Sequence, residues 1–185
     1  MINMAEYKYD LKIPKDRIAV LIGKDGCVKN KIEAATDTKI NVDSKEGDVF
    51  VSGTDSLKLY TTQDVIKAIG RGFNPETALL LLKSDYVFEL IDINDYIKGK
   101  KSLLRLKGRA IGKEGKSRRI IENLTDTQIS IYGKTIGIIG EVGNVMMCKK
   151  AIESLLNGSK HSSVYALLEK QKGRKMLDDE IELKK

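Results

Sequence analysis

Ile22-Gly23-Lys24-Asp25-Gly26 and Ile111-Gly112-Lys113-Glu114-Gly115 are two versions of one five-residue phrase, set 89 residues apart. The residues C-terminal to each phrase repeat as well. Aligned without gaps, residues 23–42 and 112–131 share Gly23, Lys24, Gly26, Ile32, Glu33, Thr36, Asp37, Thr38 and Ile40 with their counterparts. A basic loop bracketed by glycines at the mouth of a helix is suited to holding phosphate. Glycine lacks a Cβ, so a ligand chain can approach the peptide N–H groups, and the helix N-terminus adds positive potential. Two such loops in one chain point to a reader of an extended, phosphate-bearing polymer.

Working outward, the same order of elements surrounds each loop. Residues 7–13 alternate apolar and polar, the period of a half-buried strand. Pro14 ends that strand and opens a helix from Lys15 to Ile22. After the loop come a helix carrying Val28, Ile32 and Ala35, a strand through Ile40 and Val42, and a polar turn at 44–48. A strand at Val49–Val51 follows, and then a helix capped by Asp55 or Ser56 that runs to Gly70. Asn74-Pro75 starts a connecting helix through Leu82. The order then restarts: a strand at 86–93, an insertion at 94–100, a helix over 101–111 and the second loop. A helix with Ile120, Ile121 and Leu124 follows, then strands at 128–131 and 135–139 about a Gly133-Lys134 turn, and a helix through Leu155. Ser162 or Ser163 caps a last helix over 164–170, and from Gln171 the apolar pattern fades into mixed charge that suits a frayed or partner-dependent tail. The expected units are residues 1–83, 84–170 and a tail at 171–185.

The I-G-x-x-G signature, present twice between paired helices in a β-α-α-β-β-α frame, resembles the KH family in its type I topology. The resemblance covers nearly the whole chain except the tail. It implies an α+β fold of two tandem type I KH domains, each a three-stranded sheet backed by helices. It also implies single-stranded RNA as ligand, with about four nucleotides clamped on each loop. Bases would lie in grooves floored by Ile22, Ile32, Ile40 and Val42 in the first copy, and by Ile111, Ile121, Ile129 and Ile131 in the second. Most of these have the spacing of ordinary core residues; Ile22, Ile40, Ile111 and Ile129 are the ones expected to touch bases.

Charge sharpens the assignment. The net +7 is not spread evenly: between Lys98 and Arg119 ten basic residues face one acid, Glu114, for a local +9. This cluster surrounds the second loop. The RNA-contacting set read from the sequence is therefore Ile22, Gly23, Lys24, Asp25, Gly26, Lys29 and Ile40 in the first copy. In the second copy it is Lys107, Arg109, Ile111, Gly112, Lys113, Glu114, Gly115, Lys116, Ser117, Arg118, Arg119 and Ile129. Asp25 and Glu114 are a caution, because a carboxylate turned inward would repel phosphate.

Other chemistry is poorly supported. Gly112-Lys113-Glu114-Gly115-Lys116-Ser117 imitates a nucleotide P-loop, but that pattern needs a glycine where Ala110 stands. Two isolated cysteines, Cys27 and Cys148, and one histidine, His161, encode neither a disulfide framework nor a Cys/His metal site. His161 reads as an exposed residue. No cofactor and no enzymatic activity are expected. With no Trp and three Phe, an aromatic stacking sheet of the RNP kind is disfavoured. The N-terminus lacks a signal peptide pattern and the longest apolar run is Ala78–Leu82, so a cytoplasmic protein without a membrane span is expected.

Within the KH family, the paired I-G-K-[DE]-G loops resemble the archaeal branch of the partner-of-Nob-one (Dim-two type) ribosome-assembly factors. So do the Thr-Asp-Thr turns and the stretch from Ala151 to Gly158 that leads into His161–Tyr165. The resemblance implies a non-enzymatic adaptor in small-subunit ribosomal RNA processing, acting near the 3′ end of that RNA. It also implies two protein partners, the alpha subunit of the tRNA-delivering initiation factor and an rRNA endonuclease. The alternative is a KH-fold protein-interaction scaffold in translation or transcription with little direct RNA contact.

Overall fold

Alternation and helical periodicity resolve into two βααββα units in the structure, a computed structural model that describes residues 7–97 and 102–182. Lys98, Lys100 and Lys101 of the basic cluster lie outside the described residues. The chain divides into compact units at residues 1–88 and 89–185, five residues beyond the expected 83/84 division. The first unit contains β1 (Tyr7–Lys12), α1 (Lys15–Ile22), α2 (Cys27–Thr36), β2 (Lys39–Asp43), β3 (Asp48–Gly53) and α3 (Ser56–Gly70). A short α4 (Pro75–Ala78) and a 3-10 turn (Leu79–Leu82) follow. Next come β4 (Tyr86–Asp92), a 3-10 turn (Ile93–Tyr96), α5 (Ser102–Ile111), α6 (Lys116–Thr125), β5 (Gln128–Tyr132), β6 (Thr135–Glu141), α7 (Val142–Leu156) and α8 (His161–Glu182). The sheets have strand orders β1-β3-β2 and β4-β6-β5, with the third strand of each repeat in the middle. This is the α+β, tandem type I arrangement that the resemblance implied.

Burial follows the period-two pattern. Val49 and Val51 are 0% and 1% exposed and face the helices, which turns Phe50 to the other face of the sheet. Leu21, Ile32, Leu59, Ile66 and Ile69 are fully buried in the first unit, as are Ile93, Ile121, Ile136, Ile138, Ile152 and Leu155 in the second. Of the two capping candidates for α3, Asp55 is the one that caps: its carboxylate accepts from the N–H groups of Leu57 and Lys58.

The identities beyond the glycines build a corner. The helix after each loop ends on an aspartate in the left-handed region, Asp37 at φ 53° and Asp126 at φ 49°. Thr36 donates to the Ile32 carbonyl at 2.8 Å, and its hydroxyl meets that of Thr38 at 2.8 Å. Thr125 and Thr127 repeat this, with Thr125 donating to Ile121 at 2.7 Å and the hydroxyls 2.8 Å apart. Glu33 accepts the N–H of Ile40 at 2.6 Å, and Glu122 accepts that of Ile129 at 2.8 Å. Each carboxylate thereby ties helix to edge strand, since β2 and β5 lie at the margins of their sheets.

The last helix differs from expectation. It begins at His161 rather than after a serine cap, and it runs through Glu182 instead of giving way to a tail at 171. Lys172 explains part of this, donating to the Asn123 carbonyl at 2.7 Å and lying 3.2 Å from an Asp126 oxygen. Arg174, Lys175, Met176, Leu177, Glu180 and Glu182 beyond it are good helix formers, so the fading apolar pattern did not mark an end.

Candidate nucleic-acid interface

Both glycine loops adopt one conformation. Gly23 has φ 74° and ψ 176°, and Gly112 has φ 73° and ψ 174°. Asp25 and Glu114 occupy the left-handed region at φ 53° and 54°, and Gly26 and Gly115 do so at 78° and 75°. The first glycine of each pair is required twice over: by its positive φ and by the helix beneath it. A Cβ on Gly23 would stand 2.6 Å from Val28 Cγ2, and one on Gly112 would stand 2.6 Å from both the Cβ and the N of Ser117. The last glycine of the second loop faces open space, with no atom within 4 Å of an added Cβ. Each loop closes a 3-10 turn, Gly26 N–H donating to Gly23 O and Gly115 N–H to Gly112 O, both at 3.3 Å. The amides of Lys24, Asp25, Lys113 and Glu114 precede the turn's first donor and so have no acceptor inside it. A non-glycine residue held left-handed at a loop tip is a form of strain that clusters at binding sites.

The side chains sort into three groups. Lys24, Asp25, Lys113, Glu114, Lys116 and Arg119 are exposed around the loops, and Lys29, Lys107 and Arg118 are partly so. Ile22 and Ile111, immediately before the glycines, are also part-exposed. Lys29 lies 3.9 Å from Glu33, and Arg118 Nε lies 3.6 Å from Glu122, so the same carboxylates that hold the edge strands balance these cations. Arg119 donates to the Glu114 carbonyl at 2.7 Å, which fixes a peptide at the loop tip.

Four expected contacts are corrected. Ile40 and Ile129 are 2% and 6% exposed, so their side chains belong to the core rather than to a base-contacting surface. The family resemblance had put them in a base-binding groove, but inward alternation puts the side chains beneath it. Ser117 is 2% exposed under the second loop, and its hydroxyl has no hydrogen-bond partner among the described residues. Arg109 is engaged elsewhere, donating from Nε to the Leu155 carbonyl at 2.9 Å and from a terminal nitrogen to the Ser159 carbonyl at 2.5 Å. Arg17 in the first unit makes the matching pair to Ile69 at 2.8 Å and Phe73 at 2.7 Å. Both arginines secure the C-terminus of the closing helix, where carbonyls lack intrahelical partners.

His161 is likewise half-buried rather than exposed, with Nε2 2.9 Å from the Arg109 carbonyl. Cys27 is exposed beside the first loop. Burial pushes the Cys148 thiol up to about 11, with hydrogen bonds to Thr127 and Thr125 opposing the rise. Among the described residues there is no cluster of three or more His, Cys, Asp or Glu placed to hold a metal, and no helix is long and apolar enough to cross a membrane.

Sequence reasoning missed one feature of the first unit. A cleft of about 740 Å³ runs from Lys29 and Glu33 on α2, past Lys39, Ile40 and Asn41 on the β2 edge, to Tyr9, Phe50 and Ser52. Phe50 was read simply as part of a strand. The signal was there: flanked by two inward valines, it had to face out.

The two units match known families in turn. Residues 8–71 match the KH domain family, and residues 87–173 match a family described as eukaryotic type KH domain (KH-domain type I), in its Pno1 second-domain form. A KH domain-containing protein of Methanocaldococcus jannaschii is 50% identical over 166 residues, spanning 88% of this chain and 73% of that protein. This chain belongs to the tandem KH proteins of the Dim2/Pno1 type. The pre-rRNA-processing protein pno1 of Aspergillus oryzae is 33% identical over 142 residues, and the match spans 74% of this chain but about half (54%) of that Pno1 protein. Among solved structures, the Dim2-type protein in the a/eIF2alpha–aDim2p–rRNA complex of Pyrococcus horikoshii superposes with a TM-score of 0.86. It is 44% identical, with 93% of this chain and 97% of that one covered.

Proposed function

We propose that this Dim2/Pno1-type chain binds single-stranded RNA at its two glycine loops. In this reading it acts in the cytoplasm as a non-enzymatic adaptor in small-subunit rRNA processing and ribosome assembly, at the 3′ end of that RNA. One observation carries it: two loops in the same strained conformation, each with tip amides that have no acceptor inside the turn, beside an exposed lysine at a helix N-terminus. The Pyrococcus relative in complex with rRNA and a/eIF2alpha, and the fungal relative named for pre-rRNA processing, support the choice of RNA. The Pyrococcus complex also supports the alpha subunit of the initiation factor as a partner. We extend the reading to an rRNA endonuclease as a further partner, the enzyme to which this adaptor would present the bound RNA. The second loop carries more of the affinity, since Lys116 and Arg119 flank it whereas Cys27 and Asn30 stand at the same places in the first.

The test is to replace Lys113 and Glu114 together by aspartate, keeping both glycines, and to measure affinity for a short single-stranded RNA. A loss of roughly tenfold or more is expected with the fold intact. Lys24→Asp makes the equivalent loop in the first copy and should cost less; a larger loss there reverses the ranking. Unchanged affinity in both variants would move the RNA off the loops, and weak RNA binding without base preference by the wild type, with capture of the initiation-factor subunit, would leave a protein scaffold instead.

A further inference from the structure

We infer that the outer face of the first sheet, centred on Phe50, is an additional nucleobase site. There it would stack an unpaired base of the same RNA strand after it leaves the first glycine loop. The inference rests on the RNA-binding reading above and extends its footprint beyond the loop grooves.

The site follows from register. Phe50 on the middle strand lies opposite Asp10 on β1 and Asn41 on β2, and the neighbouring row is Lys8, Ser52 and Lys39. Phe50 is 52% exposed although it stands in the centre of its sheet. Folding does not account for it, because a polar residue would satisfy the outward positions of an alternating strand equally well. An aromatic ring with two lysines, Lys8 and Lys39, in the row beside it is an arrangement suited to unpaired nucleic acid. The ring stacks on any base, the cations attract the backbone, and an amide such as that of Asn41 can meet a base edge.

Continuity with the loop groove selects RNA over other occupants. The cleft is lined by Lys29 and Glu33 of α2, the helix that the first loop opens, and it reaches Phe50 by way of the β2 edge. The cleft begins at Lys29, three residues past Gly26, so a strand that leaves Gly23–Gly26 along α2 would enter it and reach the ring. The second unit lacks the device: opposite Ser130, where Asn41 stands in the first copy, β6 carries Gly137. The two copies thus use different means. The second relies on charge around its loop, and the first supplements a weaker loop with a stacking surface.

The test compares oligonucleotides on the intact chain. Affinity of the wild type for single-stranded RNA should rise when a four-nucleotide ligand is lengthened to eight. Phe50→Ala should lower affinity for the longer RNA by roughly five- to a hundredfold and leave the shorter one unaffected. Phe50→Trp should keep the gain, and abasic residues in the added positions should abolish it in the wild type without any substitution. A Phe50→Ala protein that binds the longer RNA like the wild type, or abasic RNA that binds as well as the intact one, overturns the site. So would a Phe50→Ala protein that loses only the initiation-factor subunit, which would mark a protein-docking face. Binding of the short RNA that survives the loop substitutions refutes the loop reading separately, and absence of any RNA binding by the wild type sinks both.

Discussion

Gly23 and Gly112 each answer to two demands, a left-handed backbone and a helix that leaves no room for a Cβ. Such positions are legible in a sequence because only one residue type satisfies both. Ser117 and Ile129 were not, because spacing places a residue on an element without saying whether its side chain points up to a ligand or down into the core. Cys148 belongs to this scale too. It sits seventh in its helix, as Thr62 does in α3, and both approach the Thr-Asp-Thr corner of their unit. Its folded thiol titrates near 11, above the ordinary value of about 8.5. Because the folded pKa is the higher, the unfolded chain loses its proton first as pH rises. The stability from the neutral buried thiol is complete below pH about 8.5 and is lost through pH 11, on the order of 3 kcal/mol in all. Urea unfolding at pH 8 and pH 10.5 should show a larger fall in the wild type than in Cys148→Thr; equal falls would show that the thiol is not the source.

Among elements, the decisive corner is where α5 meets the end of α7. Arg109 holds the Leu155 and Ser159 carbonyls with its side chain, and His161 holds the carbonyl of Arg109 itself. The sequence offered Arg109 as one more cation in a basic run, and nothing in its spacing separates a helix-capping guanidinium from a phosphate-binding one. The outcomes differ, however. Arg109→Ala should cost about 2–3 kcal/mol in unfolding free energy, because two charged hydrogen bonds, to the Leu155 and Ser159 carbonyls, are lost. The affinity of the folded fraction for RNA should change less than twofold. Unchanged stability with weakened RNA binding would return Arg109 to the RNA site. Elements were otherwise the most readable level, since a strand of period two, a helix of period 3.6 and a proline or aspartate cap are local signals. Exceptions were the long α8, whose stop was inferred from fading hydrophobicity, and Phe50, whose exposure is set by its neighbours.

For the whole molecule, the repeat made the architecture legible, because one βααββα frame read twice leaves little choice of fold. It did not make the two sites equal. About −0.7 in log–log salt slope accompanies each phosphate held on a single strand, and each loop clamps about four nucleotides. A strand bound by one unit should therefore show a slope of about −3, and one long enough to engage both should approach −6. Titrations between 50 and 300 mM salt on wild type and Lys24→Asp should separate the two cases. Identical slopes on the long strand would leave the first loop without a phosphate.

Arg17 lies six residues before its glycine loop and Arg109 only three, yet both grip an equivalent pair of carbonyls, one in the last turn of the closing helix and one three residues beyond its end. If the halves descend from one ancestral gene segment, the cation migrated by about a helical turn while its targets stayed put. Selection then preserved a job rather than a position. Transferring roles from one half to the other by alignment alone would name Val20 and Leu106 as the counterparts, and would misassign the fastening in both directions.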